Sequence, residues 1–261
     1  MARQFIKYEI RDHQGWITID RAETLNALDV PTILELEEVV KEAQADDDVQ
    51  VIIFTGAGDR AFVAGGDIAD LDSRQGLQHY QEFAEHIHRV FRGIELGDKP
   101  TIACINGWAL GGGTELLLAC DIRIASEKAR LGLPEITLGL FPGAGGTQRM
   151  MRQLPPCRAK ELMFTGDQIT AAEAFDYGLI NHVVAPGELI EKVEETAKKI
   201  TSKSPLILKL LKRTVTYGDD MPMPSALAYE QSMIGLVLDA NDAHEGCQAF
   251  LEKRQANFKG E

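Results

Sequence analysis

The 261-residue sequence predicts an α/β protein, a core of alternating strands and helices with parallel pairing, followed by a helical C-terminal region. Two observations carry this. Up to about residue 155, short β-rich apolar runs alternate with helix-period stretches, and glycine turns punctuate the strand ends. Beyond about residue 157 the strand pattern nearly vanishes. Helical stretches follow at Glu188–Thr201, Leu206–Val215, Ser225–Leu238 and Asp242–Arg254. The division is placed so that residues 1–195 form the core with its site and residues 196–261 form the helical region.

Each element has a local reason. Phe5, Lys7 and Glu9 fall on one face of the opening segment and Ile6, Tyr8 and Ile10 on the other; Trp16–Ile19 returns after the polar turn Asp12–Gly15, which reads as a hairpin. Asp29 caps a helix with Pro31 in its first turn and Ile33, Leu36, Val40 and Ala43 on one face. Val49–Phe54 is a buried strand ending at the turn Thr55–Gly58. A helix over 77–96, a strand Thr101–Ile105, a glycine turn with an apolar helix, and a strand Asp121–Ala125 continue the alternation. Gly143–Gly146 follows a proline and reads as a tight turn opening a helix.

Composition narrows the function. With 27 Lys+Arg against 40 Asp+Glu, the net charge is −13, which leaves no dense positive face for nucleic acid or an anionic membrane. An anionic ligand must therefore be met locally, by a few basic side chains or a helix N-terminus. The N-terminus lacks the apolar core of a signal peptide, and no apolar run reaches membrane-spanning length. Cys104, Cys120, Cys157 and Cys247 form no C-x-x-C pair, and all but Cys157 sit among apolar neighbours, as buried thiols of a reducing compartment do. A cytoplasmic location is expected.

Phosphate-loop, nucleophile-elbow and zinc-helix motifs are missing, and His86 and His88, two apart on a helix, point to different faces. No metal site is expected. The informative segment runs from Ile102 to Asp121: a buried strand, the glycines Gly111–Gly113, then a helix that is apolar except for Thr114 and Glu115. Glycines before a helix let backbone approach a ligand and leave N–H groups directed outward. Glu115 either caps its own helix or is a functional carboxylate among apolar neighbours. Glu135 is the only ionisable residue between Leu131 and Phe141, and it is either an ion-pair partner of Arg123 or Arg149 or the second member of an acid–base pair. In the glycine turn before Ile68, the Gly66 N–H and one N–H of the Gly111–Gly113 run can together make a two-amide hole for an oxyanion. Asp67 reads as a helix cap.

These residues resemble the crotonase family, the enoyl-CoA hydratase/isomerase superfamily. The likeness covers nearly the whole chain: Arg21–Leu28, Ala61–Ile68, Asn106–Glu115, Leu133–Arg149, Thr165–Gly166, Ala174–Ile180 and Glu245–Arg254. It implies a spiral of ββα units with a helical C-terminal trimerisation region, assembled as a trimer or a dimer of trimers. It also implies an acyl-CoA thioester substrate, with coenzyme A as part of the substrate and no further cofactor, and an oxyanion hole from the N–H groups of Gly66 and Gly112. By the same likeness Glu115 activates a water and Glu135 exchanges the proton at the α-carbon, as in enoyl-CoA hydratases. The CoA arm then lies along Leu25, Ala27, Ala64, Gly66, Asp67 and Ile68, with Leu110 and Pro134 among the substrate contacts and Phe250 and Lys253 at the nucleotide end. Trp108 stands where the family often has Tyr, as either a pocket-shaping residue or a core aromatic. The alternatives are an enoyl-CoA isomerase, which needs only one carboxylate, or another crotonase reaction, and an RNA-binding family member, which the charge and the lack of a Lys/Arg run oppose; a linear and a cyclic enoyl group share the same signature.

Overall fold

The computed structural model describes residues 3–261. Ile6–Arg11 (β1) and Gln14–Ile19 (β2) pair antiparallel, Ile6 opposite Ile19 and Arg11 opposite Gln14. The two-residue turn between them puts both Asp12 and His13 at positive φ, the backbone that matches the twist of a tight hairpin. Val30–Ala45 (α1) begins where Asp29 accepts the Thr32 N–H at 2.9 Å, and it buries Ile33, Leu36, Val40 and Ala43. Val51–Gly56 (β3) is buried along its whole length and leads into the short Ala61–Val63 (β4). Ile68–Asp72 (α2) and Gly76–His79 (α3) follow, then a π-helical turn Tyr80–Ala84 that runs directly into Glu85–Glu95 (α4).

The same sequence of parts repeats. Thr101–Ile105 (β5) and Trp108–Leu110 (β6) lead into Gly112–Ala119 (α5); Ile122–Ser126 (β7) and Arg130–Gly132 (β8) lead through a 3₁₀ turn Pro134–Leu138 into Gly146–Gln153 (α6) and Pro156–Thr165 (α7). Gln168–Thr170 (β9), Ala171–Asp176 (α8) and His182–Val184 (β10) close the core. Each repeat adds one strand to a six-stranded sheet, ordered β1-β2-β3-β5-β7-β10, and one to a four-stranded sheet, ordered β4-β6-β8-β9. From β2 to β10 the large sheet is parallel, and the chain winds as a spiral of ββα units.

Strand alternation divides the core into two layers. From β3, Ile52 and Phe54 join the main cluster with Phe62, Phe91 and Leu116. Val51 and Ile53 face the other way, with Trp16, Ile102 and Ile124, and are covered by Leu189, Val193 and Ala197 of Leu189–Thr201 (α9). The helices Pro205–Asp219 (α10), Met223–Asp239 (α11) and Asn241–Glu252 (α12) end the chain. Buried Lys212 anchors α10 to the core, with its ammonium 2.7 Å from Asp121 and donating to the carbonyls of Lys99 and Ile94. Leu227, Leu236 and Leu238 of α11 and Phe250 and Leu251 of α12 stay exposed. No helix of the described residues is long and apolar enough to cross a membrane.

Three expectations are corrected. Strands do continue past residue 157, as β9 and β10; each has three residues, too few for alternation to register in the sequence. Cys247 is exposed on α12, because the face that carries it meets nothing else in the chain, whereas Cys104 and Cys120 are buried. Trp108 is 41% exposed on β6, so it is not a core aromatic.

Candidate active site

Two glycine turns are brought together by backbone pairing. The segment from Leu25 to Leu28 is zipped to residues 64–67: Ala64 N donates to Leu25 O at 3.1 Å, Leu28 N to Gly65 O at 2.8 Å, and Asp67 N to Leu28 O at 2.9 Å. This leaves the Gly66 N–H outside the pairing. Arg21 braces the segment by donating to Ala27 O and by ion pairs with Asp29 at 2.9 Å and Asp67 at 3.3 Å. Asp67 also accepts the Asp70 N–H, the expected cap of α2. From the other side, Gly111 at φ +51° turns the chain into α5, and Gly112 is the first helical residue, whose N–H has no intrahelical acceptor. A Cβ placed on Gly112 stands 3.7 Å from Gly66 N, so the two free amides are neighbours. Gly113 permits this approach, because a Cβ there would overlap the Val63 carbonyl of β4.

The two glutamates converge on this point from different elements. Glu115, in the first turn of α5, is buried and does not cap its own helix. Its Oε1 instead accepts the Ala144 N–H at 2.7 Å and the Gly146 N–H at 2.8 Å, across the turn that opens α6. From sequence that turn reads only as a helix start, although the Pro-Gly-Ala-Gly-Gly run ahead of a helix is a signal for an anion-accepting backbone. Gly146 is required by proximity, because a Cβ there would stand 2.9 Å from Glu115 Oε1. Glu135 lies in the 3₁₀ turn, with Oε1 3.1 Å from the Cβ position of Gly111 and Oε2 buried without a hydrogen-bond partner among the described residues. Among the described residues it forms no ion pair. Arg149 is engaged with Glu95, and Arg123 with the carbonyls of Leu117, Cys120 and Leu179.

Burial pushes the Glu115 carboxyl up to about 7, and the charge of Glu135 acts in the same direction, against the Gly146 and Ala144 N–H groups and Arg149. Burial also raises Glu135. For Glu115 the folded value stands above the ordinary 4.5, so the folded chain holds its proton longer than the unfolded chain does. Stability is therefore lost as pH rises from about 4.5 to about 7, by on the order of 3 kcal/mol. Glu115→Gln abolishes that loss. Its Tm should match wild type near pH 4.5 and exceed it at pH 8, at about 2–4 °C per kcal/mol. A Tm difference that stays constant across this range in thermal melts would contradict the assignment.

Both amides and both carboxylates line one cavity of about 550 Å³, walled by Leu71, Phe83, Ile87, Leu138 and Phe141. Of the expected contacts, Gly66, Gly112 and Ile68 line it. Leu25, Ala27 and Ala64 stand in the zipped segment beside it, Leu110 directly before the Gly111 turn, and Pro134 at the start of the 3₁₀ turn that carries Glu135. Phe250, 83% exposed, and Lys253 lie at the end of α12, outside the lining, as does Trp108. Leu71, Phe83 and Ile87 do not stand out in the sequence as site residues, since apolar residues on helices read as core. A second hollow of about 620 Å³, between α4, α6 and α10, contains neither glutamate and neither free amide. Among the described residues, no three His, Cys, Asp or Glu side chains converge as a metal site would require.

A ββα spiral brings two neighbouring glycine amides, the buried Glu115 and the half-buried Glu135 to one cavity, a lining able to hold an anion and to exchange protons. The chain belongs to the enoyl-CoA hydratase/isomerase family, whose model matches residues 11–261. It is 43% identical over 258 residues to the crotonyl-CoA hydratase of Syntrophomonas wolfei, covering 99% of each chain. It is 34% identical over 261 residues to the (E)-benzylidenesuccinyl-CoA hydratase of Thauera aromatica, covering 98% of this chain and 99% of that one. The crystal structure of an enoyl-CoA hydratase from Bacillus anthracis superposes with a TM-score of 0.95 at 40% identity, covering 99% of this chain and 100% of that one. The crotonase fold expected from the sequence is therefore the fold observed.

Proposed function

We propose that this protein is a hydro-lyase that adds water reversibly across the 2,3 double bond of a 2-enoyl-CoA, giving the 3-hydroxyacyl-CoA. The observation that carries this reading is a pair of carboxylates, Glu115 buried and Glu135 half-buried, beside two amides left out of the backbone pairing. Hydration needs a base for water, a proton for the α-carbon and stabilisation of the enolate-like thioester oxygen between those events. The N–H groups of Gly66 and Gly112 meet the developing oxyanion. Glu115, held by two backbone donors that favour its carboxylate, takes the proton from water. Glu135, whose Oε2 has no donor among the described residues and whose carboxyl is also raised by burial, serves the α-carbon. No metal or redox cofactor has a part in these steps. The near-full-length likeness to a crotonyl-CoA hydratase supports the substrate class.

The acyl group is short and linear in this reading, which the likeness to a crotonyl-CoA hydratase supports. Leu71 and Phe83 pack against the oxyanion turn, and a Cβ on Gly66 would stand 3.0 Å from Leu71 Cδ1 and 3.7 Å from Phe83 Cζ. A panel of linear and cyclic enoyl-CoA thioesters tests it. The enzyme should consume the conjugated absorbance of short linear members fastest, with or without a chelator. Preference for cyclic members, or complete inhibition by the chelator, would overturn this part of the reading.

The protein works as a trimer or a dimer of trimers. The exposed apolar residues Leu227, Leu236, Leu238, Phe250 and Leu251 lie on the last two helices, beyond what the core of one chain covers. Phe250 and Lys253 then serve the CoA nucleotide end from a neighbouring copy. Light scattering should give a multiple of three, and truncation before Ser225 should both dissociate the assembly and abolish CoA binding. A stable monomer at micromolar concentration contradicts it.

A further inference from the structure

We infer that Arg149, with Glu95, is a positioning residue for the reaction: it holds the turn at Ala144–Gly146 in the one shape that presents two N–H groups to Glu115. The inference rests on the proposed role of Glu115 as the base for water.

The contacts form a continuous brace. Arg149 is buried in α6, and its Nε and Nη2 donate to the two oxygens of Glu95 on α4 at 2.9 and 2.7 Å. That bidentate grip fixes the plane of the guanidinium. Its remaining Nη1 donates to Ala144 O at 3.2 Å, on the peptide one residue from the N–H that Glu115 accepts. The guanidinium lies against Gly145, which sits at φ +105°, a backbone with no room for a Cβ beneath Arg149. α4 braces the same turn a second time through the hydrogen bond between His88 Nε2 and Gly143 O at 2.8 Å. The turn is thus held from α4 while its opposite side holds Glu115. A base placed wrongly by about 1 Å costs on the order of 10²-fold in rate.

The test compares hydration with α-proton exchange, because exchange depends chiefly on Glu135, which does not touch this turn. In Arg149→Met, kcat for hydration should fall about 10–10²-fold with KM nearly unchanged, while deuterium exchange at the α-carbon of a saturated acyl-CoA falls no further than it does in Glu115→Gln. Arg149→Lys keeps the charge but not the three-point grip, and should recover only part of the loss. Once Glu115→Gln is in place the brace has nothing left to position, so Glu115→Gln with Arg149→Met should be no slower than Glu115→Gln alone. Should Arg149→Met fail to fold, Arg149→Lys and Glu95→Gln carry the comparison. Wild-type hydration by the Arg149 variants beside a crippled Glu115→Gln overturns the inference alone. So does equal loss of hydration and exchange. Wild-type hydration by Glu115→Gln itself overturns the reading of the site, and the inference with it.

Discussion

Glu115→Gln and Glu135→Gln should each lower kcat for hydration by about 10²–10⁴-fold, the usual range for removing a general acid or base. KM should change little, since the amides of Gly66 and Gly112 and the walls of the cavity keep their places. The two variants should differ in a second assay. Glu135→Gln should stop deuterium wash-in at the α-carbon of a saturated acyl-CoA, whereas Glu115→Gln should retain part of it. The difference follows from position: Glu115 is fixed by two backbone donors, while Glu135 carries an unpartnered oxygen into the same cavity. Wild-type hydration by either variant would leave a single-carboxylate isomerase as the better description.

Gly113→Ala should be the most damaging single methyl in the chain. Its Cβ would overlap the Val63 carbonyl oxygen, a backbone atom in a buried strand that has no rotamer to escape into. Overpacking of this kind costs about 1–3 kcal/mol, and a clash with backbone lies at or above the top of that range. The contact also sets the distance between α5 and β4, and with it the pairing of the two amides. Hydration and α-proton exchange should therefore fall together, unlike in the glutamate variants. Gly93→Ala, on α4 with only Val40 Cγ1 at 3.8 Å from the new methyl, is the control and should hold or raise Tm, since alanine favours a helix by up to about 1 kcal/mol over glycine. A Gly113→Ala protein with wild-type Tm and activity would refute the close approach of helix and strand.

Much of this site was legible before any coordinates, for physical reasons. A lone carboxylate in an apolar stretch is costly, so Glu115 and Glu135 stood out, as did the glycines that bare an amide before a helix. Long elements such as α1 and α9 announced themselves by periodicity. The three-residue strands β4, β6, β8, β9 and β10 did not, because they are fixed by pairing with distant partners and not by a pattern of their own. The cavity wall is hidden for a related cause: Leu71 and Phe83 have the chemistry of core residues, and only the fold reveals that the space before them is open. The turn at Ala144–Gly146 was visible as a turn, but its service to Glu115, 29 residues away in the chain, was not.

The most direct measurement is of solvent oxygen. When the protein converts a short linear 2-enoyl-CoA in ¹⁸O-labelled water, the product should be a 3-hydroxyacyl-CoA with the label on the C3 hydroxyl, and neither Glu115→Gln nor Glu135→Gln should form it at a comparable rate. Conversion to a 3-enoyl thioester without label would contradict the account.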